Sequence, residues 1–318
     1  MRHFLDFEKP IAELESKIEE LRRMSEPGGI NIADEVGKLT EKADRQLRAT
    51  YAKLTPWQKT QVARHPDRPK ASAYIEALLT DFTPLAGDRA FAEDAAVLGG
   101  MGRFRGRSVV VLGTEKGSDT DSRLKHNFGM ARPEGYRKAQ RLIELAGRFK
   151  MPVLTFIDTS GAYPGVEAEE RGQAEAIARS IEACLLAPVP LVATIIGEGG
   201  SGGAIALAAG DRTLMLEHSV YSVIAPEGCA SILWRDAAQA PAAADALKLT
   251  AEDLLRLKLI DRVIPEPLGG AHRAPDETVR NVGEAVAEAL RPLVEMEPSV
   301  LLARRREKFL EMGRDAPL

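Results

Sequence analysis

The chain has only two cysteines in 318 residues, Cys184 and Cys229. Two are too few for a disulfide scaffold or a zinc cluster. They suit a reducing cytoplasm, which is the expected location. No group of His, Cys, Asp and Glu has the usual metal-ligand spacing, so no metal is expected on this chain. Long apolar runs are also missing. The longest, 183–197, is broken by Pro188 and Pro190 and is too short to span a bilayer. Basic residues are not in excess, with 43 Lys and Arg against 47 Asp and Glu. A net charge of −4 argues against nucleic acid or an anionic membrane as the main partner. The start, Met1-Arg-His-Phe-Leu-Asp-Phe-Glu8, is mixed and acidic, unlike a signal peptide. No Gly-x-x-x-x-Gly-Lys-Ser/Thr loop occurs, so nucleotide hydrolysis by this chain is not expected. There is no internal repeat and no low-complexity tract.

What is present is a core and a glycine-rich segment. Hydrophobic residues make up 44% of the chain, and the length suits one large domain or two small ones. Leu191-Val-Ala-Thr-Ile-Ile196 reads as a buried strand. Gly197-Glu-Gly-Gly-Ser-Gly-Gly203 reads as a tight loop, and Ala204–Ala209 as a short packed helix. Glycines let a backbone approach a ligand closely. The following helix offers unpaired N–H groups and a positive dipole end. Such an arrangement binds phosphate or holds an oxyanion as it forms.

Three readings compete for this loop. Gly197-x-Gly199-x-x-Gly202 matches the dinucleotide fingerprint, with Glu217 near the place of the ribose-binding acid. The helix before Gly210 is too short for that fold, and the next strand, 212–216, starts almost at once. Gly199-x-Ser201-x-Gly203 matches a nucleophile elbow, with His218 and His272 as available bases. In the third reading no side chain acts, and the N–H groups of Gly202 and Gly203 hold a negative oxygen. The bland alternative is a glycine-rich turn that only permits close packing.

A second strand-loop-helix precedes the first: strand 152–157, loop Asp158-Thr-Ser-Gly-Ala-Tyr-Pro-Gly165, and a helix over 167–186. Asp158-x-x-Gly161 resembles a GTPase switch motif, but the phosphate loop is missing. In tandem the two units place both glycine loops at the carboxyl ends of parallel strands, where ligands gather in α/β proteins. Elsewhere, Ile11, Leu14, Ile18 and Leu21 follow a helical seam that ends near Pro27-Gly28-Gly29. That helix packs on its own chain or docks onto a partner. A second helix is predicted over 32–53, and 63–69 reads as an ordered linker. Strands are predicted at 95–100, 102–107, 108–113, 219–225 and 259–264. Arg103, Arg105 and Arg107 alternate on one strand face, followed by Lys116, Arg123, Lys125 and His126. This basic cluster is available to ligand phosphates, although a solvated face is the commoner explanation. Helices are predicted over 133–149, 226–234, 250–257 with Thr250 as N-cap, and 276–312.

These segments together resemble the alpha subunits of bacterial acetyl-CoA carboxylase carboxyltransferases, over nearly the whole chain. The resemblance rests on Phe4-Leu-Asp-Phe-Glu8, Ala63-Arg-His-Pro66, Asn127-Phe-Gly-Met130 and Pro133-Glu-Gly-Tyr-Arg-Lys-Ala139. It continues through Phe156-Ile-Asp-Thr159, Gly161-Ala-Tyr-Pro-Gly165, the 197–203 loop, 226–234 and 264–272. Ser160 departs from the pattern, standing where the family usually has proline.

The resemblance implies an α/β, crotonase-like spiral of ββα units with an N-terminal helical extension and C-terminal helices. It implies a docking region at 1–85, a carboxyltransferase domain at 86–270 and a helical segment at 271–318. The implied reaction moves a carboxyl group from carboxybiotin on a carrier protein to acetyl-CoA, giving malonyl-CoA for fatty acid synthesis. Gly202 and Gly203 would form this chain's oxyanion hole. Gly197, Gly199, Gly200, Ser201, Gly161, Ala162 and Tyr163 would shape the biotin-facing loops. The implied partners are a beta subunit in an alpha2beta2 assembly, the biotin carboxyl carrier protein and biotin carboxylase. Zinc would sit on the beta subunit, and ATP would be used by the biotin carboxylase. The competing class is a serine hydrolase built on Ser201.

Overall fold

The computed structural model describes residues 3–24 and 30–314. Helices α1 (Lys9–Met24), α2 (Ile30–Tyr51), α3 (Pro56–Ala63) and α4 (Ala71–Leu78) open the chain. Strands β1 (Leu79–Pro84), β2 (Val97–Phe104) and β3 (Arg107–Thr114) follow as an antiparallel meander. After α5 (Thr120–Lys125) and α6 (Pro133–Phe149), β4 (Val153–Thr159) joins β3 in parallel. Next come α7 (Val166–Glu170), α8 (Gln173–Leu186), β5 (Leu191–Gly200), α9 (Ser201–Ala208), β6 (Arg212–Leu216) and β7 (Val220–Ser222). Helices α10 (Pro226–Trp234), α11 (Ala240–Leu247) and α12 (Ala251–Arg256) precede β8 (Arg262–Ile264). The chain then runs through α13 (Pro275–Leu290) and α14 (Pro298–Glu311). The sheet order is β1-β2-β3-β4-β5-β6-β8, with β7 paired to the end of β5.

The central strands are apolar on both faces because both faces are covered. Val110, Leu112, Val153, Ile157, Ala193 and Ile195 point toward α6, α8 and α9. Their neighbours Val109, Val111, Leu154, Phe156, Val192 and Ile196 point toward α4 and α13. Successive side chains on a strand face opposite ways, so one apolar run supplies two core layers. A further small core holds the N-terminal helices, with Ile11, Leu47, Tyr51 and Val62. Ile11 and Ile18 of the predicted seam are buried. The predicted helix stop at 27–29 lies outside the described residues. No helix among the described residues is long and apolar enough to cross a membrane.

Local chemistry sets several boundaries. Pro133 sits at the first position of α6, and Lys150 ends it at φ 54°. The Thr55 hydroxyl accepts the Gln58 N–H at 3.2 Å and the Gln58 side chain accepts the Thr55 N–H at 2.9 Å, a reciprocal cap for α3. Thr250 caps α12 as expected.

Other boundaries differ from the sequence reading. The predicted strands at 95–100 and 102–107 are one strand, β2, and the turn falls at Arg105 and Gly106, which have φ of 48° and 80°. The three arginines therefore do not share a strand face. The helix expected over 167–186 breaks at Gly172, where φ is 81°. The one expected over 276–312 is two helices, α13 and α14. Residues 63–69, read as a linker, bury Arg68 at 1% exposure.

Candidate functional site

The glycine segment is strand before it is helix. β5 continues to Gly200, so 197–200 is extended backbone and not the expected loop. Up to Ile195 the strand is flanked by β4 and β6. From Glu198 it takes β7 as partner instead. On the β4 side, Ile157 pairs with Ile195 but Thr159 pairs with Gly199, so β5 carries extra residues opposite Asp158. This bulge lies at the carboxyl end of a central strand, and bulges bend the strand that carries them. Helix α9 begins directly after it at Ser201, three residues earlier than predicted. Ser201 is exposed and left-handed, at φ 50°.

Two predicted loops meet here through backbone. A Cβ on Gly200 would lie 2.2 Å from the Ser160 carbonyl oxygen. One on Gly203 would lie 2.6 Å from Gly161 C and 2.9 Å from Ala162 N. Gly161 itself has φ 148°, which glycine tolerates best. The near-van der Waals packing of Gly200 and Gly203 on 160–162 leaves no room for side chains. Gly199 packs on Tyr221, 2.9 Å from a hypothetical Cβ. Gly202 is different, because its Cβ would meet only Ile177 at 3.5 Å, an ordinary contact. The first N–H groups of a helix have no partner within it. Those of Gly202 and Gly203 therefore lie at the positive end of α9. Tyr163 turns away from this contact. Its ring folds over Gly165 and carries the Arg132 guanidinium at 4.7 Å. Its N–H donates to Ala131 O at 3.0 Å.

The charged residues around the bulge form a cluster that no sequence motif marks. The Asp158 carboxylate fills the space over Gly197, where a Cβ would stand 2.5 Å from Oδ1. Asp158 Oδ1 accepts the Glu198 N–H at 2.9 Å. Lys116 Nζ lies 2.8 Å from Asp158 Oδ1 and 3.1 Å from Glu198 Oε2. Glu198 Oε1 in turn accepts from Arg64 Nε at 2.9 Å and Nη2 at 2.7 Å. Arg64 also grips Glu227 at the start of α10. Burial would raise the Asp158 carboxyl, but Lys116 and Lys70 beside it outweigh burial and hold it below its ordinary value. Burial would lower Lys116, and the two carboxylates reverse that and raise it. Lys116 is thus turned inward, apart from the basic cluster in which the sequence reading placed it. The sequence signal was a carboxylate inside a glycine run, Glu198, and another ending an apolar strand, Asp158.

The two candidate bases for Ser201 are committed elsewhere. The His218 ring lies 5.5 Å from Tyr51, and His272 stacks on His65 at 3.7 Å. Both belong to a buried cluster around Arg68 and Glu266. Arg68 binds Glu266, the Ile196 carbonyl at 2.6 Å and Ser219 Oγ at 3.1 Å. Burial would raise Glu266, yet Arg68 holds it down at about 2. Among the described residues, Nδ1 of each imidazole is buried and has no hydrogen-bond partner, Ser201 included. An apolar cavity of about 350 Å³ opens instead beside Ser201 and Gly202, walled by Ile205, Tyr221, Val223, Leu259, Phe309 and Met312. The arrangement can hold a negative oxygen with backbone donors at the rim of an apolar space. It lacks the serine-base contact of a hydrolase.

Comparison with known proteins agrees. The family model described as "Acetyl co-enzyme A carboxylase carboxyltransferase-like" matches residues 4–313. The chain is 70% identical over 316 residues to the acetyl-coenzyme A carboxylase carboxyl transferase subunit alpha of Gluconacetobacter diazotrophicus, covering 99% of each. It is 67% identical to the subunit of the same name from Acidiphilium cryptum, covering all of each. Among solved structures it is similar to transcarboxylase 12S, with a TM-score of 0.58 at 18% identity. That match covers 73% of this chain and 43% of the transcarboxylase chain, so this chain spans less than half of that neighbour. A Pseudomonas malonate decarboxylase hetero-tetramer in complex with coenzyme A matches at a TM-score of 0.56 and 18% identity, covering 67% of this chain and 84% of that one. These neighbours establish the crotonase-like fold. With a family model spanning nearly its whole length and relatives at such identity, the chain belongs to the acetyl-CoA carboxylase carboxyltransferase alpha-subunit family.

Proposed function

We propose that this chain, with a beta-subunit partner, transfers a carboxyl group from carboxybiotin on a carrier protein to acetyl-CoA, giving malonyl-CoA. The observation that carries the reading is the start of α9. Gly202 and Gly203 present N–H groups there, and Gly203 is backed by the 160–162 turn at backbone contact.

The chemistry needs donors rather than a base. The N–C bond of carboxybiotin breaks, and the acetyl methyl carbon forms a new C–C bond to the carboxyl carbon. The methyl proton passes to the biotin nitrogen. Negative charge gathers on the ureido oxygen and on the thioester oxygen, and each needs fixed donors. Removing one such donor costs about 10²–10³ in rate. We assign Gly202 and Gly203 to the ureido oxygen, and the thioester oxygen to the beta subunit. Gly197, Gly199, Gly200, Ser201, Gly161 and Ala162 shape the loops on the biotin-facing side, and Tyr163 braces the second of them. The rim cavity suits the apolar part of a biotin.

The same reading gives residues 1–85 to partner docking, 86–270 to carboxyl transfer and 271–318 to a helical flank. The partners are a beta subunit carrying zinc, in an alpha2beta2 assembly, together with the carrier protein and the ATP-using biotin carboxylase, in the cytoplasm. The deciding experiment is biocytin-dependent decarboxylation of malonyl-CoA. Activity from this chain mixed with a beta subunit, and none from either alone, is the expected result. A well-assembled mixture without activity would overturn the proposal.

A further inference from the structure

We infer that Lys116 is a positioning residue. Its ammonium, clamped between Asp158 and Glu198, holds the β4–β5 bulge closed and so fixes where the N–H groups of Gly202 and Gly203 point. The inference rests on the carboxyl-transfer reading.

Charge alternates through the bulge in the order Glu227, Arg64, Glu198, Lys116, Asp158, each touching the next. Glu198 and Asp158 are 6% and 2% exposed, so their charges depend on these partners. The network grips the backbone as well, because Asp158 Oδ1 holds the Glu198 N–H three residues before α9. The lysine stem is held in turn. Asn127, Phe128 and Gly129 have φ of 48°, 55° and 78°, and this left-handed turn packs Gly129 on it. A Cβ on Gly129 would stand 2.7 Å from Lys116 Cγ and 3.0 Å from the Asp158 carbonyl oxygen. Asn127 and Phe128 store strain in this turn that such a contact sustains, while Gly129 adopts it freely.

Replacing Lys116 by Met leaves Asp158 and Glu198 without their shared cation. Arg64 still holds Glu198, and Lys70, Arg68 and Tyr74 still face Asp158, while Glu227 and Glu115 face Arg64 and Lys70 in turn. Loss of the cation raises the pH at which Asp158 takes up a proton, and that proton lets the pair close again. The bulge should therefore loosen at high pH and close as pH falls.

The experiment uses the assembled complex with the beta subunit. For Lys116→Met, kcat should fall about 100-fold at high pH at unchanged KM, the scale of a misplaced donor, and should recover as pH falls. Lys116→Met with Asp158→Asn should regain about tenfold or more and lose the pH dependence, since one buried charge has been removed with its partner. Hydrogen exchange over 191–208 should speed up in the single variant and return in the double. This readout needs no activity, so it separates failure of the positioning role from failure of the transferase reading. A double variant no better than the single, or a raised KM in place of a lowered kcat, would overturn the inference. If neither variant assembles, Arg64→Met, at the more exposed end of the network, asks the same question. A lowered kcat supports the role, and unchanged kcat and exchange refute it.

Discussion

The Asp158 carboxylate occupies the space that a Gly197 side chain would need. A Cβ on Gly197 would stand 2.5 Å from Asp158 Oδ1 and 2.6 Å from Cγ. This glycine is required for what sits above it, since its own backbone lies in a buried strand. A small residue on β5 makes room for a charge on β4, and that charge holds the next N–H in the strand.

Gly197→Ala therefore pushes on a buried carboxylate that Lys116 already holds in place. Overpacking of this kind costs about 1–3 kcal/mol. Urea unfolding should show a lowered midpoint for this variant. Stability equal to that of the unmodified chain would mean that Asp158 moves aside without cost.

Gly203→Ala and Gly202→Ala should differ although they are adjacent. The first meets backbone of Gly161 and Ala162 below 3 Å, the second only an Ile177 methyl at 3.5 Å. We expect Gly203→Ala to lower turnover about 10²-fold by displacing the donors, and Gly202→Ala to lose less than about tenfold. Steady-state kinetics of the assembled complex decides this. Equal losses would show that the methyl group itself, and not the contact with 160–162, is harmful.

Ser201 should be dispensable as a side chain. Ser201→Ala keeps the left-handed residue that starts α9 and, by the proposed function, keeps the donors. Most activity should survive, and a fluorophosphonate probe should leave Ser201 unlabelled. Complete loss together with labelling would revive the hydrolase reading.

Acid should weaken the fold through His272. Burial, then the His65 ring and Arg68, lower this imidazole from 6.5 to about 3. The unfolded chain binds the proton more readily, so the neutral ring's contribution is complete above about 6.5. It is lost as pH falls toward 3, by at most about 1.4 kcal/mol per pH unit. His65, lowered chiefly by burial, acts with the same sign. Urea unfolding across this range should show the slope reduced in His272→Phe. An unchanged slope would assign the acid sensitivity to other groups.

The sequence by itself determined the regular elements whose boundaries are chemical. Pro133 and Pro226 start helices at the expected residues. Thr250 caps α12, and the apolar run from Leu191 is strand. It also determined the family, because the glycine segment, the 161–165 loop and the flanking motifs lie in one order along the chain. Tertiary structure decided whether Gly197–Gly200 would be loop or strand. Glycine allows either, and pairing with Thr159 and Tyr221 selected strand. It decided that Lys116 faces inward, since an isolated lysine carries no information about carboxylates that lie far along the chain. It likewise joined Arg64 to Glu198 across 134 residues of sequence. Local preferences act over a few residues and can be read in order. A buried charge needs a partner in space, and only the folded chain brings that partner to it.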